Sequence, residues 1–410
     1  MNQKVIKLIL MLLAAVLPTA WGFAAQQVTV IVTGQGSIVA DKVQASEGEL
    51  VTLTVTAEAG WMLKRQTLMV EQVTNTSNGD GIHITRSTTP TIGMLVSVSK
   101  QSDSTYTFTM PARDVEVHAA FVEYQTSTAT IDVTIMDGDN NTTTAEVTVD
   151  LTVEKETGDI VITNVTLPDH LSDKPAIVNI PAAVTDAEGN EHQVTSISSG
   201  AFMGQTNVTD IWLPESDKPL YIEEGAFLLD AETGDRHQVA TIHTPLHLLD
   251  NYALMAALSE NYSTCNIQAT AYAQHRYWTF SCGVDVRLPK GFSLYVCRQL
   301  SDGTIEMVRL NKMVIKANNG VLIDGFDDEA RTYEMVVSPS DDRPSGTVPA
   351  DHDAHSYDGN QLEPVIMSKH YDAGSYYILV GNEFYPILQE GKDMLLPACK
   401  AVLHLEKPNR

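Results

Sequence analysis

Apolar and polar residues alternate with a period of two along most of the chain, and the apolar set is rich in Val, Ile, Tyr and Phe. Residues 27–33 and 49–56 both read apolar-in, polar-out, the pattern of half-buried strands, with Gly34, Gly36 and Gly48 as punctuation. Tyr106, Phe108 and Met110 alternate before Pro111, and Val115, Val117 and Ala119 alternate after it. That predicts a hairpin-like ending over 106–121 with one buried face. Residues 123–129 are polar and predict a linker, after which strands resume at 129–135 and 145–153.

A repeat follows. Ile197-Ser-Ser-Gly200-Ala201-Phe202 returns as Ile222-Glu-Glu-Gly225-Ala226-Phe227, 25 residues on. Strand-plus-proline phrases are interleaved with it at Ile177–Pro181, Asp210–Pro214 and Thr241–Pro245. A period near 25 belongs to repeat architectures, in which each unit buries its apolar side against its neighbour. Phe202 and Phe227 are the expected inward knobs, and Gly200 and Gly225 permit the tight turn before each. Aligning the prolines puts Val178, Ile211 and Ile242 in register facing inward. Asn179, Trp212 and His243 then form an outward row, a candidate platform for a sugar or a partner protein. Packing of Trp212 under neighbouring chain is the competing reading. Leu248, Tyr252, Met255 and Ala256 have helical spacing, which predicts a helix over 248–260 that caps the array. From about residue 275 the pattern is again strands, among them 277–280, 292–296, 320–323, 333–337 and 376–380.

Three stretches carry family resemblances. Residues 27–122, with Gly36-Ser-Ile, Gly48-Glu-Leu-Val-Thr-Leu-Thr, Gly60-Trp61 and the ending Tyr106-Thr-Phe-Thr-Met-Pro-Ala-Arg-Asp-Val, resemble the divergent internalin-type B-repeat of bacterial surface proteins. The resemblance implies a small β-rich spacer module. Residues 175–268 resemble the BspA-type leucine-rich repeat family, on Ile180-Pro-Ala-Ala-Val, Asp186-Ala-Glu-Gly189, Val194-Thr-Ser-Ile and the two Gly-Ala-Phe units. Its members are often regarded as adhesins, although this array is short. The end of the chain, with Ile315-Lys-Ala-Asn-Asn-Gly-Val-Leu-Ile and Leu396-Pro-Ala-Cys399-Lys-Ala, resembles a C-terminal β domain of the same exported proteins, usually with Gly where Cys399 sits. The expected organisation is mainly β and multi-domain. It comprises a leader over 1–25, the β-rich module over 26–123, a β lead-in and short solenoid over 129–270, and a sandwich-like domain over 275–406.

Compartment and charge narrow the function. Lys4 and Lys7 precede the apolar run Leu8–Leu17, which is of signal-peptide length and ends at Pro18. Cleavage is expected near Ala25, leaving no integral span, with an uncut anchor as the alternative. The net charge is −26, and loss of the two leader lysines leaves 24 basic against 52 acidic residues, or −28. Such a charge opposes nucleic-acid partners and anionic membranes.

Chemistry is sparse. Cys265, Cys282, Cys297 and Cys399 make no CxxC, and Cys282 and Cys297 are candidates to face each other across neighbouring strands. The run Asp137-Gly-Asp-Asn-Asn141 lacks the Gly and Glu that an EF-hand loop requires and reads as a hairpin turn. Asp351-His-Asp-Ala-His355 is a possible metal site within a long polar loop over 338–361, but no further ligand is evident, so no metal and no cofactor is expected. Tyr371, Tyr376, Tyr377 and Tyr385 are candidates for a carbohydrate platform, with strand packing as the alternative. No G-x-S-x-G, H-E-x-x-H, P-loop or post-strand G-x-G-x-x-G occurs. The expected function is therefore non-catalytic recognition of a host or envelope protein or a glycan. An envelope assembly component facing the periplasm and a hydrolase with its site in the C-terminal domain are the alternatives.

Overall fold

The computed structural model describes residues 25–73, 95–102, 104–136, 141–171, 173–230, 237–255, 258, 266–310, 314–337, 357–371, 374–387 and 394–405. The leader, the 137–140 turn, Cys265 and the Asp351–His355 run lie outside them. The protein is mainly β, with several sheets and one short α-helix among the described residues. It divides into two compact units, residues 1–126 with 152–159, and residues 127–151 with 160–410.

In the first unit, Gly36–Ala40, Leu50–Ala57, Thr105–Thr109 and Val98–Ser102 form an antiparallel sheet in that order. A second layer pairs Gln26–Thr33 in parallel with Val115–Ala120, which is flanked on its other side by Met69–Gln72. The alternation read from the sequence supplies the core. Val28, Ile38, Val51, Leu53, Val70, Phe108, Met110, Val115, Val117 and Phe121 are buried together. The expected hairpin over 106–121 does not form, because its two arms enter different sheets. Met110 exchanges backbone hydrogen bonds with Gly48 and Glu49, at 2.8 Å each, which holds the first arm to the strand at Leu50. The turn after Pro111 then delivers Val115 beside Val28. The shared buried face is as expected, and only the pairing differs.

Residues 123–129, expected as a linker, hold the boundary between the two units at 126/127 but are strand. A single strand runs Val115–Met136 through them. The polar composition misled because a strand exposed on both faces carries no alternation to read.

The second unit is built on parallel strands. Ala176–Asn179, Val208–Trp212, Thr241–Thr244 and Asn266–Ala273 stack side by side in one parallel ladder. Ile160–Thr166, Glu191–Ile197 and Tyr221–Ile222 make another. Val178, Ile211, Ile242 and Ile267 are register partners, and all four are buried. Phe202 and Phe227 fill the turns, edge to face with ring centroids 5.6 Å apart. Gly200 and Gly225 have φ of 70° and 77°, a left-handed region that side chains with a Cβ avoid.

Among the described residues, the expected helix over 248–260 shows a 3₁₀ turn, Leu246–Leu248, an α-turn, Leu249–Ala253, and a helical Leu258, while residues 256–257 and 259–260 lie outside them. The ladder ends on antiparallel strands, Val133–Ile135 beside Ala176–Val178 at one side and Arg331–Val336 beside Gln268–Ala273 at the other. Backbone pairing thus closes both sides, and Tyr252 serves as a buried wedge whose hydroxyl accepts from the Leu220 N–H at 2.8 Å.

Beyond the stack, Tyr277–Phe280, Val321–Asp324, Ser293–Gln299 and Ile305–Leu310 form one antiparallel sheet. Leu362–Val365, Lys400–His404, Tyr376–Val380 and Glu383–Pro386 form another. Cys297 and Leu322 of the first pack with Leu362, Ala401 and Leu403 of the second, the arrangement of a sandwich. Gly320 sits where the sheets meet. A Cβ there would lie 2.5 Å from the Leu362 carbonyl oxygen and 2.8 Å from the Ala401 Cβ, which accounts for the glycine in the phrase Asn-Asn-Gly-Val-Leu-Ile.

Arg276 clamps the edge of this domain. Its Nε and Nη2 donate to the two carboxylate oxygens of the buried Asp324 at 2.9 and 3.1 Å, and the Phe326 N–H donates to the same carboxylate. The arginine side chain is 39% exposed, so solvent screens part of the pair. Asp324→Ala should still destabilise the chain by about 2 kcal/mol, because a charge-assisted two-point contact and a turn hydrogen bond are lost together. A urea titration measures this.

Candidate functional site

The outward row read from the proline alignment exists. Asn179, Trp212 and His243 are register partners along the ladder, and Gln268 continues the row. Trp212 is 40% exposed and Asn179 is half-buried. His243 is not an open platform, being only 8% exposed. Its ring lies flat against the Trp212 indole, with centroids 4.0 Å apart and planes 5° from parallel. Adjacent ladder strands are about 4.8 Å apart, so rings standing upright on neighbouring strands at the same register must stack. The histidine therefore supports the tryptophan.

The support is itself braced. Asp210 Oδ1 lies 3.0 Å from His243 Nε2, and Gln268 Nε2 lies 3.3 Å from His243 Nδ1. One arrangement satisfies both contacts on a neutral imidazole: the Gln268 amide donates to Nδ1, and the Nε2–H donates to the Asp210 carboxylate. Backbone bonds fix the strands beneath, from Ile180 N–H to the Trp212 carbonyl and from Leu213 N–H to the His243 carbonyl, both at 2.9 Å. The result is a rigid, half-exposed indole with amides on either side of the stack and a carboxylate below. Such a surface suits apolar or CH-rich contact together with hydrogen bonding.

Sequence reasoning missed Asp210 and Gln268. Both were available: Asp210 is two residues before Trp212 on the same strand face, and Gln268 follows His243 at the 25-residue spacing already seen in Phe202 and Phe227.

The other candidates resolve differently. The four tyrosines do not form one platform. Tyr371 is buried, Tyr376 lies half-buried between Tyr371 and His404, Tyr377 packs on the sandwich core, and Tyr385 is exposed and bonded to Glu383. Strand packing absorbs three of them. Among the described residues no three His, Cys, Asp or Glu side chains converge as a metal site. Cys282 and Cys297 are not on neighbouring strands. Both Tyr277–Phe280, which leads to Cys282, and the strand carrying Cys297 pair with Val321–Asp324, which lies between them. Two strand spacings are about 9.6 Å, beyond the reach of a disulfide. Cys282, Cys297 and Cys399 are buried free thiols.

Asp186 forms the most polar knot of the stack and serves the fold. It closes the hairpin between Ala183–Thr185 and Glu191–Gln193. Its carboxylate accepts from the Glu188 and Asn190 N–H groups, the Asn190 amide and His192 Nε2, at 2.8–3.2 Å. Burial pushes its pKa up, but these bonds outweigh burial and bring it from the ordinary 3.8 to about 2. A folded-state value below the unfolded one means the stabilisation is complete above about pH 4 and is lost as pH falls from there towards 2. Wild-type protein should lose stability over that window, and Asp186→Asn should be less stable at neutral pH with a flatter acid limb. Denaturation at pH 2, 3, 4 and 7, followed by circular dichroism, checks both.

Comparison with known proteins bears on the first unit. Residues 26–91 and 80–125 match the divergent InlB B-repeat domain. The first unit carries a B-repeat module. The match spans the two-layered core from Val28 to Phe121 and ends before the parallel ladders. No curated protein and no solved structure was found to match the chain. No helix among the described residues is long and apolar enough to cross a membrane.

Proposed function

We propose that this is an exported recognition protein of the cell surface or secreted space, which binds a protein or glycan partner without covalent chemistry. The observation that carries the reading is the Trp212–His243 stack on a strand face, half-exposed and braced by Asp210 and Gln268. A rigid indole with surrounding hydrogen-bonding groups is the kind of anchor that dominates binding energy at interfaces. The B-repeat module agrees with it, since that domain family is associated with surface and adhesion-type proteins. In this reading the B-repeat module is a spacer, and a short BspA-like repeat array presents the ladder face. The leader sequence and the strongly acidic composition fit export.

The test is an array of glycans and extracellular-matrix proteins probed with wild-type, Trp212→Ala and Asn179→Ala chains. Trp212→Ala should weaken the strongest interaction at least tenfold, the effect of losing about 1.4 kcal/mol, with an unchanged circular dichroism spectrum. Equal binding by wild type and Trp212→Ala would remove this face as the site. Protease treatment of intact cells separately tests exposure. Loss of the chain places it outside, and protection until the envelope is opened favours an assembly role in the periplasm.

A further inference from the structure

Two of the three described cysteines meet at one place. Ser281 Oγ donates to the Lys400 carbonyl at 2.5 Å and accepts from the Val365 N–H at 3.1 Å, while the Cys399 N–H donates to the Val365 carbonyl at 2.9 Å. Ser281 and Lys400, which flank Cys282 and Cys399, are thus in direct contact although 119 positions apart. Both thiols also reach the same turn: Cys282 Sγ donates to Asp250 Oδ1 at 2.6 Å, and Cys399 Sγ donates to the Leu246 carbonyl at 3.2 Å. Cys297 is elsewhere, in the sandwich core.

We propose that Cys282 and Cys399 are a disulfide pair that closes while the chain folds in the presence of a small-molecule disulfide such as oxidised glutathione. One cysteine thiolate attacks the glutathione disulfide, forming a mixed disulfide and releasing one glutathione thiolate. The second cysteine attacks the protein sulfur of that mixed disulfide, releasing the other glutathione. Two protein thiols are oxidised, one glutathione disulfide is reduced to two thiols, and the two protons pass to the released glutathione. The bond would tie the end of the chain to the start of the sandwich, and it removes two thiol groups that an oxidising compartment would otherwise attack. Cys399 has φ of 61°, so this turn carries a side chain in a conformation that favours glycine. A cross-link is a reason to keep a cysteine there.

The pair closes before the domain does. In the folded, reduced chain burial and the neighbouring Asp250 carboxylate push the Cys399 thiol up to about 12, and burial followed by Asp250 raises Cys282 further, so neither is a nucleophile near neutral pH.

The test refolds the full chain from denaturant in a glutathione redox buffer, blocks free thiols and maps the peptides by mass spectrometry. The expected result is a Cys282–Cys399 linked peptide with Cys297 alkylated, and the same link in a Cys265→Ser/Cys297→Ser variant. Native reduced protein exposed to the same buffer should oxidise at least tenfold more slowly. Refolded protein in which both cysteines are alkylated, or in which either is linked to Cys265 or Cys297 instead, overturns the proposal. None of these outcomes depends on where the protein resides, so the result is separable from the recognition reading.

Discussion

Phe202→Ala should destabilise the second unit by about 3–5 kcal/mol, the range for truncating a fully buried aromatic side chain. Phe202 has no solvent exposure and meets the Phe227 ring edge to face. The substitution removes apolar contact, an aromatic pair contributing about 1 kcal/mol, and the volume that keeps the turn filled. The surroundings have little freedom to collapse into the space. Gly200 N–H bonds to the Gly225 carbonyl at 3.1 Å, Gly204 N–H to the Leu229 carbonyl at 2.8 Å, and Val165 N–H to the Ala201 carbonyl at 2.8 Å. Each of these ties the Phe202 turn to a neighbouring repeat or strand. In a stack where each unit contacts only its neighbours, a defect between two units also weakens their coupling. Phe227→Ala should cost a similar amount, and the double variant should cost less than the sum, since the two rings share one contact. Urea denaturation of the three variants measures all of this. A loss below about 1 kcal/mol for Phe202→Ala would mean that the rings do not hold the repeats together.

Legibility followed periodicity. Several strands with one buried face were located by their alternation, as for Val28, Val51, Leu53, Phe108, Val115 and Val117, whereas Asn266–Ala273, which alternates as cleanly, was not read as one. The repeat was equally visible, because stacking demands the same inward residue at the same register. Val178, Ile211 and Ile242 therefore align through their prolines and are register partners in space. Pairing was less legible. Nothing in the residues before and after Pro111 says that one arm joins Leu50–Thr54 and the other Val28–Thr33, since both choices bury the same side chains. The strand through residues 123–129 was hidden for the opposite reason, lacking a buried face to mark it. The helix expected over 248–260 is described only in part, as the turns Leu246–Leu248 and Leu249–Ala253 and at Leu258. For the candidate site, the row Asn179, Trp212, His243 was legible, but the burial of His243 was not. That burial arises from ring stacking between strands, which depends on rotamers.

Gly34→Ala should be the most damaging small substitution in the first unit, and its size separates two effects that glycines usually mix. Gly34 has φ of 84°, and a Cβ there would sit 2.1 Å from the carbonyl oxygen of Phe121. The left-handed conformation alone costs an alanine about 1–2 kcal/mol. The clash adds about 1–3 kcal/mol, and since it is with backbone it cannot be relieved by rotating a side chain. A total of about 3 kcal/mol or more is expected from the two together. Gly48 is the control, because its φ of 83° is nearly the same while nothing lies within 4 Å of its would-be Cβ, so Gly48→Ala should show the conformational cost only. Gly36 is the complementary case. Its φ is not in the left-handed region, and its Cβ would meet the Phe121 ring at 2.5 Å, so Gly36→Ala should show the overpacking cost only. Hydrogen exchange of the full chain, read on peptides covering residues 26–40 and 105–122, reports all three variants within the first unit. The ranking Gly34 above both Gly36 and Gly48 follows if Phe121 is packed onto the turn at residues 34–36 as a fixed element of the B-repeat module. Equal protection in Gly34→Ala and Gly48→Ala would mean that Phe121 yields, and that the turn carries no packing constraint beyond its backbone angle.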